Sequence, residues 1–223
     1  MLKELINAFR RRDVVGELES QIGQMLDAGQ WMFEKVADVL MRQVDPAEIA
    51  QPLYEKDRQI NEIEQKIREQ IITHLNLGNQ CDLEAGLVLM NVVKDAERIG
   101  DYCKNIFEVG KFYRGSFQHR KYHEPLQQIR HSITELFAPA KEAFLKADSK
   151  IAKRILRKTE RLTRECDMII QQLLSTEESL PANEAVAYVL LARHYKRVEA
   201  HLSNIATSVV SPMPLLDFRG KVT

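Results

Sequence analysis

Two columns of polar side chains could do chemistry. In "DAERIGDYCKNIF", which runs from Asp95 to Phe107, Glu97, Asp101 and Asn105 recur at four-residue spacing, while Ala96, Ile99, Cys103, Ile106 and Phe107 repeat as an apolar face. Residues four apart on a helix lie one above the other, so the three polar residues form a column. "EKDRQINEIE" supplies a second column of Asp57, Asn61 and Glu64. If the two helices pack side by side, both columns face one groove. Carboxylates that face each other repel and raise each other's pKa until a cation neutralises them. Oxygen-rich sites of this kind suit magnesium, manganese, iron or calcium. The alternative is a pair of solvated helix faces, with Glu97 and Asp101 paired to Lys94 and Arg98. Gly100 sits inside the column and costs a helix roughly 1 kcal/mol against alanine. In return it gives room for a neighbouring helix or for the groove.

A second chemical feature is cationic. In "KADSKIAKRILRKTERLTR", Arg154, Arg157, Lys158 and Arg161 belong to a basic stripe at three- and four-residue spacing. Ile151, Ile155, Leu162, Cys166, Ile169 and Leu173 occupy another face and should be core. The stripe is either a solvated face or a docking surface for an acidic partner, an anion or an anionic membrane leaflet. Arg10, Arg11 and Arg12 form a second basic run.

Other signatures are missing. There is no phosphate-cradling glycine loop, no G-x-S-x-G and no H-E-x-x-H. No histidine follows a glutamate by three, which removes the ligand pair of ferritin-like di-iron bundles. His119 and His123 lie in the basic run "QHRKYH" and read as solvated. His194 and His201 are a heptad apart, with no carboxylate placed to orient them. Trp31, beside Met25, Met32 and Phe33, reads as core or interface packing.

The elements that must position these residues are helices. The first covers Val14 to Arg42. Asp45 and Pro46 then provide an N-cap and a first-turn proline for the second, which runs to about Asn76 with Ile60, Ile63, Ile67 and Ile71 inward. The third spans about Asp82 to Tyr113. The fourth runs from Glu124-Pro125 to Lys146, kinked at Pro139. Asp148 and Ser149 cap the fifth, which ends near Leu174. After the loop "STEESLPAN" the sixth spans Glu184 to Ser211, and "SPMPLLDFRGKVT" follows as a tail. No strand-like alternation competes.

The chain has 223 residues, 44% of them hydrophobic, and its 32 acidic and 32 basic residues cancel. That balance argues against a general nucleic-acid binder. The opening "MLKELINAFRRRD" lacks the apolar run of a signal peptide, and no run nears the roughly 18 residues of a spanning helix. A cytoplasmic protein is expected. Cys81, Cys103 and Cys166 fit reduced core thiols better than a disulfide frame or a zinc site.

The two halves resemble each other. An offset of 102 places Ile60, Ile67, Gln70 and Ile71 on Leu162, Ile169, Gln172 and Leu173, and an offset of 99 places "ERIGDYCKNI" on "KRVEAHLSNI". Short connections make successive helices antiparallel. The expected fold is therefore all-α, two three-helix bundles related by a pseudo-twofold, with residues 1–115 as the first repeat and 116–223 as the second repeat and tail.

"ERIGD" followed by "NI", with D-x-x-I-N-x-x-E on the preceding helix, resembles the PhoU family of phosphate-uptake regulators. The resemblance covers nearly the whole chain and implies a six-helix, spectrin-repeat-like fold. It also implies metal bound by acidic E/D-x-x-x-D pairs on two helices of a repeat. Carried over, Glu97 and Asp101 match one pair; Asp57 and Asn61 match its partner, with asparagine in place of the last acid, and Glu64 lies beside them. The metal would be a divalent or trivalent ion (iron, zinc, manganese, magnesium or nickel) in the first repeat only. In the second repeat the matching positions are Thr159, Thr163, Lys196 and Ala200, and Glu199 is one residue out of step. By the same resemblance the protein is a non-enzymatic homodimeric regulator of phosphate homeostasis. Its partners would be a phosphate ABC transporter ATPase and a sensor histidine kinase, with no nucleic acid, and it would reach the membrane periphery through them. A metal-dependent phosphate-ester hydrolase and a purely structural scaffold are the alternatives.

Overall fold

Helix boundaries follow from local chemistry. In the computed structural model, which describes residues 14–77 and 83–217, the helices are α1 (Val14–Leu40), α2 (Pro46–Asn76), α3 (Leu83–Phe112), α4 (Arg120–Lys146), α5 (Ser149–Ser175) and α6 (Ala182–Val210), followed by a 3-10 turn, Met213–Leu215. Cys81 and the run Arg10, Arg11 and Arg12 lie outside the described residues. Asp45 caps α2 by accepting from the Ala47 amide at 2.8 Å. Asp148 caps α5 by accepting from Lys150 and Ile151 at 2.8 and 3.0 Å. These carboxylates satisfy amides that the first helical turn leaves without partners. Arg42, at φ 57°, breaks the path beyond α1. Its guanidinium donates to the carbonyls of Gly110 and Tyr113, tying the end of α1 to the end of α3.

Helix α4 starts four residues before the expected Glu124, and Pro125 and Pro139 both lie inside one uninterrupted helix. The cause lies on α6. The buried Glu184 carboxylate accepts from the amides of Gln118 and His119 at 2.7 and 3.3 Å and from the Tyr188 hydroxyl at 2.9 Å. His119 Nδ1 stands 3.2 Å from its other oxygen. His119 is thus an anchored residue and not the solvated one expected. His123 stacks on Phe117 at 5.5 Å. Burial works to raise Glu184, but these hydrogen bonds outweigh it and hold the carboxyl below its ordinary value.

The six helices form two layers. Helices α2, α3, α6 and α5 lie side by side in that order; α1 and α4 pack beneath them and against each other. Phe33 of α1 joins the halves, with ring centroids 5.8 Å from both Phe137 of α4 and Tyr195 of α6. Each half is a three-helix unit whose helices all touch one another.

Paired contacts reveal the internal twofold. Lys104 Nζ on α3 donates to Asp57 Oδ2 on α2 at 2.9 Å. The residues 99 and 102 further on, Ser203 and Thr159, hydrogen-bond across α6 and α5 at 3.2 Å. The expected core residues Ile60, Ile67 and Ile71 are buried, as are Ile155, Leu162, Cys166 and Ile169; Ile63, Ile151 and Leu173 are half-buried against the core. Cys103 and Cys166 are buried free thiols.

Candidate functional site

The groove between α2 and α3 exists because Gly100 lets the helices meet. A Cβ at Gly100 would stand 3.2 Å from Ile60 Cδ1 and 3.7 Å from Asp57 Oδ1. The acids expected to share this groove lie on facing sides of α2 and α3, in two groups. Asp57 and Asp101 are joined by Lys104, whose ammonium is 2.9 Å from each. Burial works against this charge, but the hydrogen bonds to Asp57 and Asp101 outweigh it and hold the ammonium above its ordinary pKa. Arg98 reaches Asp101 at 3.1 Å and Glu97 at 3.6 Å, and Arg68 holds Glu64 at 2.7 Å. Asn61 is half-buried between Asp57 and Glu64 on the same helix.

The second group, Glu97 and Glu64, has an arginine beside each carboxylate, and burial governs it. Burial, with the nearby charges of Asp101 and Glu64, pushes Glu97 up to about 7. Burial also raises Glu64, against the pull of Arg68 and Arg98. Among the described residues no three His, Cys, Asp or Glu side chains converge so as to hold a metal ion. A metal between Asp57 and Asp101 would have to displace Lys104. The lysine lies within the opening motif, three residues after Asp101. That spacing pairs a cation with an acid on one helix face and could have been read from the sequence. Lys94, the other expected partner of these acids, turns instead to Asp217 at 3.2 Å.

On its other side α3 meets α6 through a polar line. Asp95 is 1% exposed. Its Oδ1 is 2.7 Å from His201 Nδ1 and accepts from Asn204 at 3.2 Å. A carboxylate does therefore orient His201, contrary to the expectation for this histidine pair. It comes from the other half of the chain, 106 residues away. Tyr102 stacks on His201 at 5.6 Å and lies 6.0 Å from His194. Burial, helped by the Arg193 charge, lowers the His194 pKa.

In the second repeat, Glu199 is fully buried and accepts from Thr163, which places it against α5. Lys196 instead pairs outward with Asp167 at 2.6 Å. On the basic stripe Arg154, Arg157 and Arg161 are exposed, but Lys158 is half-buried and donates to Glu135 of α4 at 2.8 Å. The expectation that Lys158 is solvent-exposed is thus corrected: its α4 flank carries a carboxylate within reach. Arg161 pairs with Glu165 at 3.2 Å. Arg154 and Arg157 form no ion pair among the described residues.

Two three-helix repeats, joined by a part-buried Asp–His contact and carrying an acidic groove bridged by Lys104, define an all-helical repeat bundle. Family comparison is specific: the chain belongs to the PhoU domain family, whose model matches it twice, over residues 22–109 and 126–209. Among curated relatives, the phosphate-specific transport system accessory protein PhoU of Escherichia coli (strain K12) is 24% identical over 91% of this chain and 86% of its own length. The PhoU homolog of Pseudomonas aeruginosa is 25% identical over 87% of this chain and 82% of its own. The crystal structure of PhoU from Pseudomonas aeruginosa superposes with a TM-score of 0.79 at 20% identity, covering 90% of this chain and 97% of the other. The phosphate transport system regulatory protein PhoU from Streptococcus pneumoniae superposes at 0.72 and 20% identity, over 94% and 99% of the two chains. No helix among the described residues is long and apolar enough to cross a membrane.

Proposed function

We propose that this protein is a non-enzymatic regulator of phosphate uptake, acting as a helical adaptor on the cytoplasmic side of a phosphate transporter. The observation that carries this reading is the family match in both halves of the chain, together with curated relatives named as accessory proteins of the phosphate-specific transport system. In this reading the exposed helix faces engage the transporter ATPase and a sensor histidine kinase, and the protein works as a homodimer. The basic stripe, with Arg154 and Arg157 unpaired among the described residues, is the face for an acidic partner, because free exposed charge steers association. Lys104 holds the acidic groove closed as a built-in cation. Deleting the gene should leave a phosphate-starvation reporter active in phosphate-replete cells, and the wild-type copy should restore repression. A reporter that stays repressed without the gene would sink the reading.

A second reading of the groove rests on the acids that face one another across it: Glu97 of α3 lies near Asp101 and Glu64, whose charges add to burial in raising its pKa. Carboxylates that raise one another's pKa are stabilised by a shared cation. In that reading a divalent or trivalent metal is held by Glu97, Asp101, Asp57 and Glu64, with Asn61 beside them. Elemental mass spectrometry of protein purified without chelator decides. A stoichiometric metal lost in the Glu97→Gln, Asp101→Asn double variant supports it. No metal, even after dialysis against manganese or iron, leaves Lys104 as the only cation between Asp57 and Asp101.

A further inference from the structure

The layer α2, α3, α6, α5 ends in two edge helices. Helix α2 packs against α1 and α3, and α5 against α4 and α6, so the outer flank of each is left without a helix. On α2 that flank carries Glu48, Glu55, Glu62 and Glu69, all exposed and seven residues apart. The offset of 102 places the first three on Lys150, Arg157 and Arg164 of α5, which are exposed and seven apart as well. Arg58, between Glu55 and Glu62, falls on Glu160, so its sign is exchanged too. The internal twofold therefore relates the two edges in shape and inverts them in charge. Seven-residue spacing keeps each row nearly straight along its helix. Glu55 to Glu69 and Lys150 to Arg164 each span about 21 Å at 1.5 Å per residue.

Most of these charges are not satisfied within the chain. Glu48, Glu62, Glu69, Lys150 and Arg157 form no ion pair among the described residues. Glu55 accepts only from the Gln51 amide, and Arg164 pairs with the exposed Glu160 at 3.0 Å. Charges of the wrong sign for each edge are turned to partners: Lys66 to Glu17 at 2.9 Å, Glu165 to Arg161 at 3.2 Å and Asp167 to Lys196 at 2.6 Å.

We propose that the two edges form one interface: the acidic flank of α2 docks along the basic flank of α5 in a second copy of this chain, head to tail. Neighbours in the layer are antiparallel. Gly86 meets Ile71 while Lys104 meets Asp57, Asp95 meets Asn204 while Tyr102 meets His194, and Thr159 meets Ser203 while Lys196 meets Asp167. Three such steps leave α2 and α5 pointing in opposite directions. A copy set beside the first in the same orientation thus lays its α5 antiparallel to α2. One register then brings Glu55, Glu62 and Glu69 onto Arg164, Arg157 and Lys150, with Arg58 beside Glu160, because each step of seven up α2 matches a step of seven down α5. A twofold through either edge would instead set like charges on like charges, which is repelled. The contact is therefore heterologous, and every added copy leaves one acidic and one basic edge free, so association grows as a chain. A single exposed pair contributes little, and only several in register hold two molecules together. The inference goes beyond the phosphate-uptake reading and does not need it, because it rests on the two charge rows alone. It gives the basic stripe an acidic partner in the chain's own α2.

The test is sedimentation velocity of the purified full-length protein at two salt concentrations. Screening acts within about 30 Å at about 0.01 M salt and about 3 Å at about 1 M. At the low value the weight-average mass should rise with protein concentration and pass that of a dimer. At the high value this growth should vanish. Two charge-reversed proteins make the test specific. Lys150→Glu with Arg157→Glu makes both edges acidic, and Glu62→Lys with Glu69→Lys makes both basic. Each protein alone should associate about tenfold more weakly or less well still, and an equimolar mixture of the two should associate again. All four positions are exposed, so circular dichroism and melting should match the wild type. Four outcomes overturn the proposal: no rise in mass up to millimolar protein at low salt, growth indifferent to salt, a reversed protein that associates as the wild type does, or a mixture no better than its components. The reporter assay on the gene deletion is independent, so failure here leaves the phosphate-uptake reading standing.

Discussion

Tyr102 and His201 stack across the α3–α6 contact with ring centroids 5.6 Å apart and planes 25° apart, and each occupies the other's place under the 99-residue offset. The internal twofold therefore passes between these two rings. The same operation turns the Asp95–His201 contact, 2.7 Å, into the neighbourhood of His194 and Tyr102, 6.0 Å between rings. The repeat has kept its geometry while its chemistry has diverged: a buried carboxylate serves one side of the axis and an imidazole the other.

Asp95 is the polar anchor of that contact. Asp95→Ala removes the acceptor of both His201 and Asn204 in a part-buried setting, and should cost about 1–3 kcal/mol. Urea denaturation measures this. A change below a few tenths would mean that water replaces the carboxylate and that apolar packing alone joins the repeats.

Glu97 should make stability depend on pH. Its folded pKa, about 7, lies above the ordinary value of 4.5, so the folded state holds the proton more tightly than the unfolded chain. The resulting stabilisation is complete below about pH 4.5 and is lost as pH rises through about 7. Glu97→Gln should flatten the stability profile between those values and raise the melting point at pH 8. The gain is about 1 kcal/mol once solvent screening of a partly exposed carboxylate is allowed for. A profile with the same slope in both proteins would show that Glu97 titrates normally.

Gly100 should tolerate no branched side chain. Its Cβ position already stands 3.2 Å from the fully buried Ile60. Gly100→Val should destabilise by about 1–3 kcal/mol through overpacking and should separate α2 from α3. Thermal unfolding gives the cost. Tryptic cleavage at Lys104 reports the opening, because in the native protein that lysine is held by Asp57 and Asp101. Unchanged stability and cleavage would mean that Ile60 simply rotates away.

Arg154 and Arg157 should matter for encounter rather than for folding. Reversing both to glutamate should leave helical content and melting nearly unchanged, because surface charges away from partners shift stability by little. Association with an acidic partner should slow, and in the wild type it should also slow as salt rises, since exposed charges are screened within about 8–10 Å at physiological ionic strength. Lys158→Glu would instead face Glu135 and lose its 2.8 Å ion pair, so a stability loss is expected there. An association rate indifferent to salt and to the double reversal would make the stripe a solvated face.

Periodicity and capping residues alone settled the helices. Asp45 with Pro46 and Asp148 with Ser149 mark two starts by chemistry local to one turn, and Ile60, Ile67 and Ile71 repeat at helical spacing toward the core. The acidic columns of Asp57, Asn61 and Glu64, and of Glu97, Asp101 and Asn105, are legible for the same reason: one helix fixes which of its own residues share a face. What a face meets is decided between helices. That Lys104 lies between Asp57 and Asp101, that Asp95 orients His201, and that Lys158 turns to Glu135 all depend on contacts between segments 23 to 106 residues apart. The early start of α4 has the same origin, since Glu184 on α6 holds the amides of Gln118 and His119 just before it. Sequence spacing gives the direction of each side chain from its own helix axis. Only packing sets the distance between axes, and at distances near 3 Å that decides whether two carboxylates share a lysine, a proton or a metal.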